Sequence, residues 1–291
     1  MTLAALEAID TAVLDWGIGG LSVYNEIRKR DPERSLLYLS DAGAVPYGRM
    51  PRAVLTRRLR EIAHRLAAQG IRRLVVACNA ASTVLPDLAA AFRRLDLQVT
   101  GVIEHGVALV EKGDYQKIGI LGGRRTVLSQ SYARPLRHAG RTVRGRVAQP
   151  LSALIEQGEL ESAALTNLLR RLLTPLRSMD AVVLACTHYP AIRPQIQALL
   201  PGVELVDPAE GTAEWVVKTW GSALVSPLPG IGRGEPGEGP GVRAPGGRAG
   251  ALPDLFFTTG DPASMRRAAA RAFGNHLETI EDWEAPLPVR R

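Results

Sequence analysis

Short apolar segments alternate along the chain with segments of helical periodicity. Nine apolar runs predict β-strands, and they lie at residues 11–15, 35–40, 73–78, 97–101, 117–122, 141–147, 181–186, 203–207 and 255–259. Several runs are apolar at consecutive positions, which is typical of strands buried on both faces. Strands that alternate with helices predict parallel sheets covered by helices, so the predicted fold class is α/β.

The two halves of the chain share a coarse repeat. Each half contains an apolar strand that ends in a cysteine, Cys78 or Cys186, followed by a polar turn and a helical pattern. This repeat predicts two similar parallel-sheet α/β domains that face each other. Ligands of open α/β sheets bind beyond the carboxyl ends of the strands, so we expect the two cysteines to meet across one cleft.

Residues 226–253 interrupt the alternation of strands and helices. These 28 residues contain nine glycines and six prolines, a composition typical of a loop or linker without regular structure. Because residues 255–274 again show a strand and a helical pattern, we interpret 226–253 as an insertion within a domain.

Cys78 and Cys186 are the only cysteines of the chain, and each precedes a segment with a helical pattern. The N-terminus of a helix carries free N–H groups and partial positive charge, which lower the pKa of a nearby thiol and can hold a carboxylate. A thiolate and a thiol on opposite sides of a carbon atom can remove a proton from one face and return one to the other. The pair therefore predicts a two-base racemase that needs neither a metal nor a pyridoxal cofactor.

Three other interpretations of the cysteines stay open. Free cysteine is often buried, so either residue can be a plain core residue. A zinc site would use Cys78, Cys186 and His188, but structural zinc usually takes four closely spaced ligands, and the chain has no CxxC or HxxxH. Cys186 and His188 would also suit a cysteine hydrolase, although side chains at i and i+2 rarely point at each other and no family signature surrounds them.

Polar residues at other strand ends extend the candidate site. Asp15 ends the first strand and opens DWGIGG, whose glycines can bring backbone close to a ligand but lack the GxGxxG fingerprint of dinucleotide sites. Asp41 follows the second strand and fits a helix cap or a turn. Taken singly, Glu156 would be a surface charge and His188 a core histidine bonded to backbone.

Composition limits the classes of function. The 291 residues are 46% hydrophobic and 22% charged, as in globular proteins, and no apolar stretch is long enough to span a membrane. The N-terminus does not resemble a signal peptide, and two cysteines do not form a disulfide framework, so we expect a reduced, cytoplasmic setting. The sequence does not define the oligomeric state, and a homodimer stays open.

Much of the formal net charge of +7 lies in residues 49–73, which contain eight arginines and one acid. This segment predicts one amphipathic helix whose apolar side consists of Val54, Leu55, Leu59, Ile62 and Leu66. No aromatic residues or binding module lie beside the arginines, so the pattern indicates a solvated face rather than nucleic-acid binding. A basic surface also raises the local concentration of an anionic substrate.

Taken together, these motifs resemble glutamate racemases of the cofactor-independent aspartate/glutamate racemase superfamily. The resemblance extends from Val13 to about Gly274, outside the insertion. Its markers are GIGGLSVYNEI after Asp15, VPYG at 45–48, ACNAAS at 77–82, GVIEHG at 101–106, TVLSQSY at 126–132, ACTHYP at 185–190, LVD at 205–207 and FFTTGDP at 256–262. The two cysteine motifs, in this order and together with PYG and TTGDP, are specific to the family.

The resemblance implies an active site between two domains. The first would comprise residues 1–98 and 209–291, with the insertion at 226–253, and the second would comprise residues 99–208. The enzyme would need no cofactor and would act on a small anionic amino acid. The product of the family, D-glutamate, enters bacterial peptidoglycan.

The resemblance also implies roles for individual residues. Cys78 would act on the D-enantiomer and Cys186 on the L-enantiomer. Asp15 and His188 would assist their proton transfers, with Glu156 near the second. The substrate-binding positions that it implies are Asn79, Thr126, Thr187, Trp16, Ala80, Pro46, Tyr47 and Gly48.

Three positions depart from the family pattern. Trp16 stands where the family has serine, Ala80 where it has threonine, and Gly123 where it usually has threonine. Each missing hydroxyl removes a hydrogen bond to a charged group, worth about 1.5–3 kcal/mol. Either backbone amides and waters compensate, or the substrate is another small amino acid or dicarboxylate, or turnover is weak. A binding or regulatory homologue without turnover is a further alternative, although a mere binder has no need of two thiols.

Overall fold

The computed structural model describes residues 9–221 and 254–284. All nine predicted strands are present, most of them a residue or two shorter than predicted. They are β1 (Thr11–Asp15), β2 (Leu36–Ser40), β3 (Arg73–Val76), β4 (Gln98–Thr100), β5 (Lys117–Gly122), β6 (Thr142–Val147), β7 (Ala181–Ala185), β8 (Glu204–Val206) and β9 (Leu255–Thr258). A further strand, β10 (Glu281–Asp282), is too short to produce a periodic pattern in the sequence.

Helices connect these strands. They are α1 (Leu21–Arg30), α2 (Arg52–Ala68), α3 (Asn79–Ser82), α4 (Ala89–Arg94), α5 (Ile103–Lys112), α6 (Arg124–Leu128), α7 (Ala133–His138), α8 (Pro150–Glu156), α9 (Ala163–Leu173), α10 (Arg193–Leu199), α11 (Pro208–Trp220) and α12 (Pro262–Phe273). Short 3-10 turns lie at Leu85–Leu88, Thr174–Leu176 and Tyr189–Ile192. The segment after Cys78 forms two short helices separated by a 3-10 turn, and the segment after Cys186 forms a 3-10 turn followed by a short helix. Each of these two turns contains a proline.

The strands form two sheets in which every described pairing is parallel. The larger has the order β10-β9-β2-β1-β3-β4 and the smaller has the order β6-β5-β7-β8. In β1, Ala12 and Leu14 pack on one face of the larger sheet and Val13 packs on the other. In β5, Ile120 and Leu121 likewise pack on opposite faces. Burial on both faces explains why the strands are apolar at consecutive positions.

The two sheets share one topology. The order β2-β1-β3-β4 in the larger sheet corresponds to β6-β5-β7-β8 in the smaller one, so the strand order confirms the predicted internal repeat. In both sheets the chain pairs its second strand on one side of the first and its third strand on the other. Such a reversal leaves a crevice beyond the carboxyl ends of β1 and β3, and of β5 and β7, where α/β sheets bind ligands.

Helix α11 joins the two halves of the molecule. It packs against α1 beside the larger sheet and against α5 beside the smaller one. The crevices of the two sheets open into one common cavity. The predicted fold class, two parallel-sheet α/β domains that face each other across a cleft, is thereby confirmed.

The division of the chain into residues 1–98 plus 209–291 and residues 99–208 stays a prediction. Strand β4 crosses the proposed boundary and pairs with β3 of the larger sheet up to Thr100. The insertion predicted at 226–253 lies outside the described residues. Among the helices that the structure describes, none combines the length and apolarity needed to cross a membrane.

The arginine-rich segment forms helix α2, which is shorter than the predicted helix over 49–73. It begins after Pro51 and ends at Ala68, because Arg73 already belongs to β3. Its buried residues are Leu55, Leu59, Ile62, Ala63 and Leu66. Val54 was predicted on this apolar side but is 37% exposed, since it lies one position away from the stripe that faces the core.

Candidate active site

A cavity of about 410 Å³ lies between the two sheets, beyond the carboxyl ends of β1, β3, β5 and β7. The site residues predicted from the sequence line this cavity except Glu156, which lies behind His188, and Asp41, which lies behind Tyr47. Its volume falls in the range of small-molecule sites. The strand ends of both halves thus bring the predicted residues together.

Cys78 lies on one side of the cavity, directly after β3, and is buried. Beside it, the Asp15 carboxylate at the end of β1 is 1% exposed. Asp15 Oδ2 accepts hydrogen bonds from the Gly20 N–H at 2.6 Å and from Thr187 Oγ1 at 3.1 Å. In the described part of the chain, Oδ1 has no hydrogen-bond donor, and the carboxylate also interacts with the Cys78 thiol.

Burial raises the pKa of the Cys78 thiol well above its ordinary value, and the charge of Asp15 raises it further. Burial also raises the pKa of Asp15, against the opposing effect of His188. The expectation that a helix N-terminus lowers the thiol pKa is therefore wrong for Cys78. Helix α3 spans only one turn and does not offset the loss of hydration, so Cys78 is a protonated thiol at neutral pH.

Cys186 lies on the other side of the cavity, directly after β7, and is half-buried. Its Sγ is 3.7 Å from His188 Nδ1, and His188 Nε2 is 2.7 Å from Glu156 Oε1. The expectation that side chains at i and i+2 do not meet is wrong here, because the backbone turns tightly before the 3-10 turn at Tyr189–Ile192. A thiol, an imidazole and a carboxylate thus form one row.

The row from Cys186 to Glu156 carries separated charge. Burial alone would lower the pKa of His188, but the contacts with Cys186 and Glu156 outweigh it and raise this pKa well above 6.5. Burial alone would raise the pKa of Glu156, but the hydrogen bond to His188 and its charge lower it overall. At neutral pH the two residues are therefore imidazolium and carboxylate. The cationic imidazole of His188 therefore lies directly beside the Cys186 sulfur atom.

The glycines after Asp15 allow the larger-sheet half to approach this row. A Cβ at Gly17 would overlap Glu156 Oε1, and a Cβ at Gly19 would lie 2.6 Å from His188 Nδ1. The Ile18 N–H donates to Glu156 Oε1 at 3.0 Å. The sequence suggests that these glycines bring backbone close to a ligand, whereas the structure shows that they bring it close to two side chains of the other half.

Asn79, Thr126 and Thr187 are buried polar residues in the cavity wall. Asn79 Oδ1 accepts a hydrogen bond of 2.7 Å from the Tyr132 hydroxyl, which fixes the orientation of its amide group. Thr187 donates to Asp15 and so links the strand ends of the two halves. Thr126 belongs to α6 and enters the cavity from the smaller-sheet side.

Pro46, Tyr47 and Gly48 reach the cavity on the loop after β2. The hydroxyl of Tyr47 is held by Asp41, to which it donates at 2.7 Å. Asp41 also accepts hydrogen bonds from Arg58 at 2.6 Å and from the Thr259 hydroxyl at 3.0 Å. Asp41 therefore holds this loop in place, and the Tyr47 hydroxyl uses its proton in the hydrogen bond to Asp41.

The three positions that depart from the family pattern all lie at the cavity. Trp16 packs against the core of the larger sheet, as does Ala80, and the Trp16 indole N–H donates to the Ala44 carbonyl at 2.8 Å. Next to Gly123, the Gln149 side chain fills the space: a Cβ at position 123 would lie 3.0 Å from Gln149 Oε1. The wall is thus more apolar at 16 and 80 and carries an amide at 149.

Sequence reasoning missed several residues of the cavity wall. The polar ones are Arg49, Arg125, Gln149 and Ser152, and the apolar ones are Pro150, Ala153, Leu154 and Ala185. Arg125 follows Arg124 in the sequence, and no motif distinguishes the two. Only the fold shows that Arg125 lines the cavity while Arg124 is exposed.

The zinc alternative considered from the sequence would use Cys78, Cys186 and His188. Over residues 9–221 and 254–284, no group of three or more His, Cys, Asp and Glu side chains is arranged to hold a metal ion. Both cysteines are free thiols. The contacts that the structure shows for His188 are those with Cys186 and Glu156.

Comparison with known proteins extends over nearly the whole chain. The sequence profile of the Asp/Glu/hydantoin racemase family matches residues 23–215. A glutamate racemase from Thermus thermophilus is 35% identical over 270 residues, which cover 92% of this chain and 93% of that relative. The crystal structure of Thermus thermophilus glutamate racemase in complex with β-chloro-D-alanine has a TM-score of 0.75 at 32% identity, covering 96% of this chain and 98% of that one. The crystal structure of Escherichia coli glutamate racemase with L-glutamate and the activator UDP-MurNAc-Ala has a TM-score of 0.68 at 27% identity, covering 94% and 98%.

Proposed function

The chain belongs to the Asp/Glu/hydantoin racemase family, and from that premise we propose that it is a cofactor-independent glutamate racemase with two cysteine bases. The observation that carries this proposal is the pair of thiols at equivalent strand ends of two sheets, both facing one cavity. Each thiol has its own polar partner, Asp15 for Cys78 and His188 for Cys186. The Thermus thermophilus relative and the Thermus thermophilus crystal structure, which each cover more than 90% of this chain, are glutamate racemases.

In the proposed reaction, L-glutamate binds with its α-carbon between the two sulfur atoms. The Cys186 thiolate removes the α-proton, and the electron pair of the broken C–H bond stays on the α-carbon as a carbanion. The Cys78 thiol then delivers its proton to the opposite face, which produces D-glutamate. Cys186 ends as a thiol and Cys78 as a thiolate, and proton exchange with solvent restores the first state.

The neighbours of each cysteine suit these roles. The positive charge of His188, fixed by Glu156, stabilises the Cys186 thiolate before the proton is removed. Asp15 holds Cys78 protonated until the carbanion forms. In the reverse direction, Cys78 removes the α-proton from D-glutamate and Cys186 returns one on the L face.

We assign substrate binding to Asn79, Thr126 and Thr187, with backbone of the loop Pro46–Gly48. Buried amide and hydroxyl groups suit the ammonium and carboxylate groups of an amino acid, because charge-assisted hydrogen bonds are stronger in a site that excludes water. We also propose that the D-glutamate serves peptidoglycan synthesis and that the enzyme works in the cytoplasm, where its two free thiols stay reduced.

Circular dichroism of D- and L-glutamate and of D- and L-aspartate tests this function directly. Purified protein without added cofactor is expected to bring both enantiomers of glutamate to an equal mixture. Faster racemisation of aspartate would assign the site to another dicarboxylic amino acid, in line with the changes at Trp16, Ala80 and Gly123. Binding without loss of ellipticity would show a homologue that has lost turnover.

A further inference from the structure

Arg125 occupies an unusual place in the cavity wall. It belongs to α6, which follows β5 of the smaller sheet. Its Nε donates to the Tyr47 carbonyl at 3.2 Å and its Nη2 donates to the Met50 carbonyl, both on the loop after β2 of the larger sheet. The guanidinium therefore reaches across the cleft, and the side chain lines the cavity in the same region as both cysteines.

The positive charge of Arg125 has no acidic partner. Within residues 9–221 and 254–284, no carboxylate lies within ion-pair distance of its guanidinium, and Nη1 makes no hydrogen bond. Nearby arginines differ, because Arg52 pairs with Asp87 at 2.8 Å and Arg58 pairs with Asp41 at 2.6 Å. Burial and the charge of Arg52 lower the pKa of Arg125, which is the mark of an uncompensated cation.

Two carbonyl oxygens orient this guanidinium but do not neutralise it. An arginine stays protonated in proteins and presents its donors in a planar fork that matches a carboxylate. We therefore expect the substrate to provide the negatively charged group that pairs with this guanidinium. Trp16, Ala80 and Gly123, which line the same cavity, carry no hydroxyl group that could bind a carboxylate there.

We propose that Arg125 binds the side-chain carboxylate of the substrate and makes the site selective for dicarboxylic amino acids. This inference rests on the proposed racemase function and specifies its substrate class. The α-carbon must lie between the sulfur atoms of Cys78 and Cys186, near the buried Asn79 and Thr187. Arg125 instead lies at the loop around Tyr47 and Met50, where the far end of a five-carbon substrate would reach.

The test compares a charged and an uncharged substrate in Arg125→Gln. For glutamate, kcat/KM is expected to fall about 10- to 100-fold, mainly through KM. For β-chloroalanine, whose side chain is uncharged, the rate of elimination is expected to stay within about twofold. In that reaction a cysteine removes the α-proton and chloride leaves with the C–Cl electron pair. The resulting aminoacrylate hydrolyses to pyruvate and ammonia, and the pyruvate is measured.

Two further variants separate charge from structure. Arg124→Gln removes the same charge from the neighbouring, exposed position and is expected to leave both reactions unchanged. Arg125→Lys keeps the charge and is expected to retain most of the preference for glutamate over β-chloroalanine. An equal loss on both substrates in Arg125→Gln would show that Arg125 only joins the two halves of the molecule, and the absence of any loss would remove it from the site. Either result overturns the proposal.

A binding measurement distinguishes this proposal from the racemase function itself. Glutarate has two carboxylates but no amino group and no stereocentre, so the protein cannot racemise it. Its affinity can therefore be measured whether or not the protein is a racemase. By calorimetry, wild-type protein is expected to bind glutarate about 10- to 100-fold more tightly than Arg125→Gln does, with no such difference for butyrate. If no amino acid is racemised but this contrast is found, the carboxylate site stands and the racemase proposal falls. If glutamate is racemised and the contrast is missing, only the role of Arg125 falls.

Discussion

The surroundings of Cys78 and Cys186 differ, although the two cysteines follow equivalent strands of two sheets with the same strand order. Cys78 is buried beside the carboxylate of Asp15, which raises its pKa in addition to the effect of burial. Cys186 is half-buried and contacts His188, whose positive charge is fixed by Glu156. One thiol therefore lies next to negative charge and the other next to positive charge.

One repeated strand order therefore carries two thiols whose neighbouring charges are opposite in sign. The strand order places both sulfur atoms at the crevice, where two α/β units face each other. The neighbouring side chains then give the two sulfur atoms different local charge. In the proposed mechanism one sulfur atom accepts a proton while the other donates one, and the unlike neighbours of the two cysteines suit this division.

Removal of one sulfur atom at a time is expected to have the largest effect on turnover. Cys78→Ser and Cys186→Ser are each expected to lower the rate of glutamate racemisation by about 10³-fold or more, because a serine hydroxyl is a far weaker acid than a thiol and is hardly ever deprotonated at neutral pH. Circular dichroism measures the loss. Near-normal racemisation by either variant would contradict the assignment of two bases.

Elimination from β-chloroalanine measures the activity of each cysteine separately. Racemisation has an equilibrium constant of one, so kcat/KM must be equal for the two enantiomers in every variant. Elimination is irreversible and therefore reports each base separately. Cys186→Ser is expected to keep elimination from the D-enantiomer and Cys78→Ser from the L-enantiomer. The opposite preference would exchange the two roles, and loss of both in each variant would show that the thiols do not act independently.

Replacement of the Glu156 carboxylate should reduce the positive charge of His188 beside Cys186, and with it the contrast to the negative charge beside Cys78. Glu156→Gln removes a cause of the raised pKa of His188, so the imidazole loses its proton at lower pH and kcat/KM falls about 10- to 100-fold near pH 8. Profiles of kcat/KM against pH test this shift. Glu159→Gln, an exposed position nearby on the chain, is the matched control and should leave the profile unchanged. An unchanged profile in Glu156→Gln would separate Glu156 from the protonation of His188.

The same pair makes stability depend on pH in a defined direction. The folded pKa of His188 is raised, so its contribution to the free energy of unfolding is present below pH 6.5 and is lost as pH rises through the folded pKa. The folded pKa of Glu156 is lowered, so its contribution is present above pH 4.5 and is lost as pH falls through the folded value. Denaturant unfolding at several pH values should show that Glu156→Gln has a lower free energy of unfolding than wild type between the folded pKa of Glu156 and the folded pKa of His188. Outside this range the two proteins should differ less.

Selective alkylation compares the two thiols in the intact protein. Iodoacetamide is expected to label Cys186 at least about tenfold faster than Cys78 at neutral pH, because Cys78 is buried and has a raised pKa. Peptide mass spectrometry after short exposure measures the ratio. Equal labelling would contradict the burial and the raised pKa of Cys78 on which the comparison depends.

Much of this architecture could be predicted from the sequence because it depends on local patterns. Strands buried on both faces appear as consecutive apolar residues, so β1, β3, β5 and β7 could all be predicted. The strand ends then located Asp15, Cys78 and Cys186 at one cleft. The short strand β10 was missed because two residues carry no period, and helix α2 was predicted too long because its arginines continue past both of its ends.

The contacts across the cleft could not be predicted, because they depend on how the two halves face each other. Gly17 and Gly19 leave room for the side chains of Glu156 and His188, which lie far away in sequence. The contact between Cys186 and His188 depends on a tight backbone turn, and the raised pKa of Cys78 depends on burial. Arg125 carries no sequence signal at all, since only the fold separates it from Arg124.

The smallest expected effect on turnover concerns Trp16. Its indole bonds the Ala44 carbonyl and packs against the larger-sheet core, so Trp16→Ser is expected to lower the free energy of unfolding by about 3 kcal/mol with turnover changed by less than about threefold. Trp16→Phe keeps most of the packing and should lose only about 1 kcal/mol. Denaturant unfolding and kcat/KM are measured together. A large rise in glutamate turnover at unchanged stability would show that Trp16 restricts the substrate site.

Proton exchange during turnover in D₂O tests the central claim most directly. L-glutamate is incubated with the enzyme, and both enantiomers are analysed by mass spectrometry while little product has formed. Two bases on opposite faces predict that the D-glutamate formed carries deuterium at the α-carbon while the recovered L-glutamate retains its hydrogen. Deuterium that appears in the recovered L-glutamate as fast as in the product, or D-glutamate that retains the original hydrogen, would contradict the assignment of Cys78 and Cys186 to opposite faces.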